Sequence, residues 1–231
     1  MKRGLTPVFT SDLFDFLRDL ARNNDRTWFA ENRDRYDRDV KGPALRFVAE
    51  VAPHLGKLSP HFRADPRPVG GSLFRIHRDV RFSKDKSPYK THVGIRFPHK
   101  AGKDVHGPVF YLHLEPGQVF IGCGVWHPDG GTLARIRGSI AAHPDRWRRI
   151  RDGKKLERRF RLGGDTLQRA PRGIDADHSL IEDLKRKDYI AVAELSEEAV
   201  QRPGFVKEFA SLCRDAEPFQ RFLCEALGLE M

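Results

Sequence analysis

PVFYLHLEPGQVFIGCGVW, residues 108–126, decides the fold. Pro116-Gly117 stands between two runs of alternating side chains, and a strand sends successive side chains to opposite faces. Phe110, Leu112 and Leu114 oppose Tyr111, His113 and Glu115 in the first run. In the second, Val119, Ile121, Cys123 and Val125 oppose Phe120, Gly122, Gly124 and Trp126. Two such runs joined by a two-residue turn predict an antiparallel hairpin with one apolar and one polar face.

The same period extends outward. Residues 72–82, 91–98 and 188–195 alternate in the same way, so about five strands are expected with 108–115 and 118–126. In 72–82 the pattern puts Phe74, Ile76, Val80 and Phe82 on the apolar face and Arg75, His77, Asp79 and Arg81 on the polar one. Val93, Ile95 and Phe97 likewise oppose His92, Gly94 and Arg96. Before the sheet, Leu13, Phe14, Leu17, Leu20 and Ala21 make one apolar stripe, so a helix is expected over 11–22. A second helix carries Trp28 or Phe29, Asn32, Tyr36 and Val40 along one side, and Gly42-Pro43 is expected to break it and open a third that runs to about His54. Helices over 132–160 and 196–228 follow the sheet, the last interrupted near Pro218. The expectation is one α+β domain over 1–231, a mostly antiparallel sheet with N- and C-terminal helices packed on its apolar face.

Composition bounds the function. The 231 residues carry 42 Lys and Arg against 32 Asp and Glu, a formal charge of +10, which favours anionic partners. No run approaches the roughly 18 consecutive apolar residues of a membrane span, and the N-terminus lacks the apolar middle of a signal peptide, so a cytoplasmic protein with no membrane partner is expected. Cys123, Cys213 and Cys224 are an odd count without C-x-x-C spacing and are expected to be buried thiols. The basic run over 146–161 surrounds Trp147, Ile150, Leu156 and Phe160 at docking spacings and is expected to be a solvated helical face. No phosphate-loop, dinucleotide, zincin or hydrolase-elbow motif is present, so no motif indicates a cofactor. Histidines at 92, 99, 106 and 113 raise the question of a metal, but no carboxylate stands at a recognised spacing from them, and none is expected.

Residues 72–92, SLFRIHRDVRFSKDKSPYKTH, concentrate the polar chemistry. Arginine forks and lysine point charges around a surface hollowed by Gly94, Gly122 and Gly124 suit a phosphate or carboxylate. The expected ligand-binding residues are Arg75, Arg78, Arg81, Lys86, Lys90, His92, Tyr111 and Trp126, with Phe120 and Trp126 at the groove edges to stack a planar group. Asp79 and His113 are the acid–base candidates, with Tyr89 as a further proton donor. Arg78 falls on the apolar side of its run, so it must either pair with a carboxylate or be re-aimed by a bulge.

At these residues the chain resembles the bacterial proteins of similar length, also found within larger fungal proteins, called the domain of unknown function 2461 family. The resemblance rests on R-x-x-R-D-x-R-F followed by D-K-x-x-Y, present as Arg75, Arg78, Asp79, Arg81 and Phe82, then Asp85, Lys86 and Tyr89. It extends to NNDRTWF at 23–29, YLHLEPG at 111–117, GCGVWHP at 122–128 and LQRAPRGID at 167–175. It implies a site and names no reaction. Three functions remain open: a site for an anionic small molecule such as a nucleotide, on an enzyme using acid–base chemistry or on a binding protein; a nucleic-acid-binding module; and an interaction domain whose motif is an internal salt-bridge network. The small anionic ligand is expected ahead of nucleic acid because the motif is compact and mixed in charge.

Overall fold

The computed structural model describes residues 6–101 and 107–231; His106, weighed above as a metal ligand, lies outside them. Helix α1 (Ser11–Arg22) buries Leu13, Phe14, Phe16, Leu17 and Leu20 as one stripe. Two short helices follow, α2 (Arg26–Glu31) and α3 (Arg33–Tyr36), and then a widened π turn over Asp37–Lys41 runs straight into α4 (Gly42–Leu58). The break expected at Gly42-Pro43 does not occur. Pro43 lacks an amide hydrogen, and the π turn absorbs the defect by bonding the Gly42 amide five residues back to the Asp37 carbonyl.

The hairpin forms as expected from β2 (Val109–Glu115) and β3 (Gln118–Val125). Gly117 has φ +78, the left-handed conformation that the second central position of its turn requires. With β1 (Val93–Pro98), β4 (Arg161–Gly163) and β5 (Tyr189–Leu195) the sheet is five-stranded and antiparallel, in the order β1-β2-β3-β5-β4. The chain is α+β, as its patterning implies. Ile95, Phe97, Phe110, Leu112, Leu114 and Ile121 are fully buried on one face, and α1 and the C-terminal helices Phe205–Asp215 and Glu217–Ala226 lie against β2 and β3.

The fifth strand is not the expected one. Residues 72–82 form no strand; β4 takes that place at the other edge. Residues 72–74 begin as an edge, with the Phe74 amide donating to Gly94 and the Arg96 amide to Ser72, both at 2.9 Å. The chain then leaves β1 and folds on itself, with single bridges at Leu73–Ile95 and His77–Tyr89. The side-chain sorting expected for this run therefore fails. Leu73 and Ile76 are buried, whereas Phe74 is 37% exposed and Phe82 is 93% exposed.

The basic run occupies two short helices, Pro144–Arg151 and Lys154–Arg159, with Trp147, Leu156 and Phe160 buried as anchors. Several of its arginines tie these helices to the body: Arg146 to Glu225, Arg151 to Asp183 at 2.5 Å, and Arg159 to Glu208. The three cysteines are buried and unpaired, as expected, and desolvation raises the thiol of Cys123 to about 12.

Candidate functional site

Mutual pairing folds residues 72–92 into a loop. Arg78 pairs with Asp85, Arg81 with Asp79 at 2.7 Å, and Lys86 donates to the Val80 carbonyl at 3.0 Å. The carboxylate expected for Arg78 is thus Asp85, without a strand or a bulge. Hydrogen bonds from Arg81 hold the Asp79 carboxyl down to about 2, so at neutral pH it stays an ionised partner. Asp79 is also exposed, which gives it no sheltered substrate position. Tyr89 is a core side chain, stacked on Phe29 with ring centroids 4.1 Å apart. The Asn24 amide group binds its backbone in both directions, accepting from the Tyr89 amide and donating to its carbonyl at 3.0 Å each.

The polar face of the sheet carries a groove of about 510 Å³. Phe74, Tyr111, Phe120 and Trp126 supply aromatic walls, and Ile190 and Val192 of β5 an aliphatic one. Of the three glycines expected to hollow it, only Gly122 does so: a Cβ there would meet nothing nearer than the Phe120 ring at 3.9 Å. Gly94 instead admits Phe74 and Tyr111, which would come within 2.8 Å of a Cβ. Gly124, at φ +119, lets the β5 backbone approach, since a Cβ would lie 2.0 Å from the Tyr189 carbonyl oxygen. Arg96 is the groove's cation. Its guanidinium and the Lys90 ammonium each sit 5.2 Å from the centre of the Phe74 ring, and among the described residues neither cation has a carboxylate within ion-pair distance.

A chain of polar contacts borders the groove. The Tyr111 hydroxyl lies 3.1 Å from Nδ1 of His113, and Nε2 of His113 lies 3.1 Å from Oε2 of Glu115. The other oxygen of Glu115 accepts from the Thr91 hydroxyl at 3.0 Å. His92 places its ring 4.6 Å from that of His113, and one nitrogen or oxygen of each of His92, His113 and Glu115 lies within 4.8 Å of the others. Desolvation, with help from His113, lowers His92 to about 4, so its ring is neutral at physiological pH. His92 also lines a second groove with Arg78 and Lys90, so the two histidine rings open onto different depressions.

The sequence pattern of the conserved hypothetical protein family DUF2461 matches residues 12–222, more than half of the chain. The chain belongs to this family. No curated protein matches it. In this DUF2461 chain the expected site residues separate into two groups. Lys90, His92, Tyr111, His113 and Trp126 come together around the two grooves. Arg81, Lys86 and Asp79 are engaged in folding the loop, Tyr89 packs in the core while lining the second groove, and Arg75 is exposed with its carbonyl accepting from Lys90. Arg78 does both, pairing with Asp85 while lining the second groove.

Arg96, Glu115 and Phe74 were not among the residues singled out from the sequence. Arg96 and Glu115 fall on the polar face by period two, and that alternation was signal enough to include them. Phe74 could not have been found so, because its run is not a strand.

Proposed function

We propose that the chain binds a small anionic molecule with a planar body, of the nucleoside-phosphate or aromatic-acid class, in the groove on the polar sheet face. The carrying observation is Arg96 in this groove: its guanidinium and the Lys90 ammonium both lie against the exposed Phe74 ring, with no carboxylate among the described residues to neutralise either. A guanidinium without a carboxylate partner among the described residues, in a largely aromatic and aliphatic groove, supports anion recognition, because few polar groups in an apolar pocket set orientation. The groove volume of about 510 Å³ falls within the usual range for small-molecule sites. Phe120 and Trp126 offer faces for a planar ring. His113, bonded to Glu115, would meet the ligand at the groove border as an imidazole–carboxylate pair.

The motif at 75–89 supports a second role within the same proposal. Its Arg78–Asp85 and Arg81–Asp79 pairs favour an architectural task, closing the loop that carries Lys90 and His92 to the site.

Trp126 is 56% exposed at the groove, whereas Trp147 is fully buried and the half-buried Trp28 does not line it, so the part of the emission change that Trp126→Phe removes reports occupancy. Titration with adenosine monophosphate, benzoate and inorganic phosphate is expected to quench that emission and raise the melting temperature for the planar anions beyond the effect of phosphate alone. A ligand at 100 times its Kd adds about 2.7 kcal/mol of stability, which a melting curve resolves. Arg96→Met should remove both responses without changing the unliganded melt by more than about 1 kcal/mol. Unchanged emission and melting across all planar anions counts against the groove as a ligand site.

A further inference from the structure

We infer that His92, His113 and Glu115 form a binding site for one divalent transition-metal ion. His113 and Glu115 are two residues apart on β2 and therefore share a face. Extending the Val93–Leu114 register by one residue sets His92 beside Glu115 from the neighbouring strand. Two donors come from one rigid strand and the third from the residue preceding β1, and their ligand atoms lie within 4.8 Å of one another. Ligands at about 2.1 Å from a shared ion stand about 3.4 Å apart in a tetrahedron. The 3.1 Å between Nε2 of His113 and Oε2 of Glu115 is within about 0.3 Å of that separation. His92 needs a movement of up to about 1.4 Å to close the set from the 4.8 Å within which the donors now lie.

The surroundings match what metal ligands receive from their neighbours. The Tyr111 hydroxyl, 3.1 Å from Nδ1 of His113, is placed to accept from the Nδ1–H tautomer, the one that frees Nε2 to ligate an ion. Thr91 occupies Oε1 of Glu115 and leaves Oε2. Phe120 stacks on the His113 ring at 4.7 Å and 12°, holding its plane. A shared proton would account for the His113–Glu115 contact by itself. It leaves His92 unexplained: among the described residues this part-buried imidazole has no hydrogen bond, yet it lies against a second imidazole. Two adjacent imidazoles and one carboxylate are the donor set of zinc, cobalt, nickel or ferrous ions; magnesium and calcium prefer oxygen. Three protein ligands leave a position open, and His113 borders the sheet groove, so a bound ion would supply Lewis acidity at the end of that groove.

The test uses the full chain and metal alone. Protein stripped with a chelator, then dialysed against Zn²⁺ or Co²⁺, should retain one equivalent by plasma mass spectrometry, and the cobalt form should show the visible bands of four- or five-coordinate Co²⁺. His92→Ala and Glu115→Gln should each abolish the bands while far-ultraviolet circular dichroism is unchanged. Tyr111→Phe should keep the bands and weaken affinity about 10- to 100-fold, as loss of a supporting partner does. His113 is the most buried of the three, and if His113→Ala fails to fold, the other two substitutions still carry the test. No retained metal, or retention equal in the wild type, His92→Ala and Glu115→Gln, overturns the site. The result is independent of the groove ligand, since cobalt bands without any response to planar anions would keep the metal site and discard the groove proposal.

Discussion

Asn24 shows how one side chain replaces a piece of sheet. Its amide oxygen and nitrogen take the Tyr89 amide and carbonyl at 3.0 Å each, the pairing a neighbouring strand would otherwise provide. From sequence, residues 23–25 announce only turn chemistry, because a partner 65 positions away leaves no local trace. Each bond contributes about 1 kcal/mol net, and an orphaned part-buried amide costs about 1–3 kcal/mol more. Asn24→Ala is therefore expected to destabilise the chain by about 2–3 kcal/mol, seen as a lower urea midpoint at unchanged slope. Asn24→Asp keeps the acceptor but loses the donor, so it should fall between the two. The residues of the proposed metal site were half legible at this scale. Alternation put His113 and Glu115 on one face, but only the cross-strand register brings His92 to them.

At the scale of elements, β3 separates glycines by their jobs. Gly122→Ala adds a methyl group to open groove floor and should leave stability within about 0.5 kcal/mol, while reducing the binding of a planar ligand. Gly124→Ala must enter a left-handed conformation and push against the Tyr189 carbonyl, and should cost about 3 kcal/mol or more by chemical denaturation. Both glycines look alike in the sequence, since a strand glycine signals close approach without saying by what. The loop at 72–92 misled for a related reason. Its period-two alternation is real, but Arg78–Asp85 and Arg81–Asp79 satisfy its charges within the loop, and its backbone leaves β1 after Phe74. These pairs also have a pH signature. Arg81 holds Asp79 down to about 2, and hydrogen bonds from Ser87, then Arg78, hold Asp85 lower still. The unfolded values are about 3.9, so the stabilisation is present above that pH and is lost as pH falls through the folded values. In carboxyl-carbon NMR, Asp79 should titrate near 2, and Arg81→Gln should return it toward about 3.9.

For the whole molecule, the helices bury one face of the sheet and leave the aromatic groove on the other, a division that apolar and polar alternation in β1, β2, β3 and β5 already announces. The edge strand β4 was hidden because three residues carry too little pattern to distinguish from a loop. Net charge is the coarsest signal and the least instructive. The +10 charge suggests nucleic acid, but many of the cations are engaged internally. In the run at 146–161, Arg146, Arg148, Arg151 and Arg159 each pair with a carboxylate, and Arg161 is bound to backbone carbonyls. Binding through counterion release needs cations free to meet phosphates, and each one neutralised by a protein carboxylate is subtracted from that number. Single-stranded oligonucleotides are therefore expected to bind only in the non-specific range, weaker than about 1 µM near physiological salt. Fluorescence anisotropy at low and physiological salt measures this directly. Submicromolar binding that survives the higher salt and disappears on replacing Trp126 would mean that the groove holds a nucleic-acid strand and not a small anion.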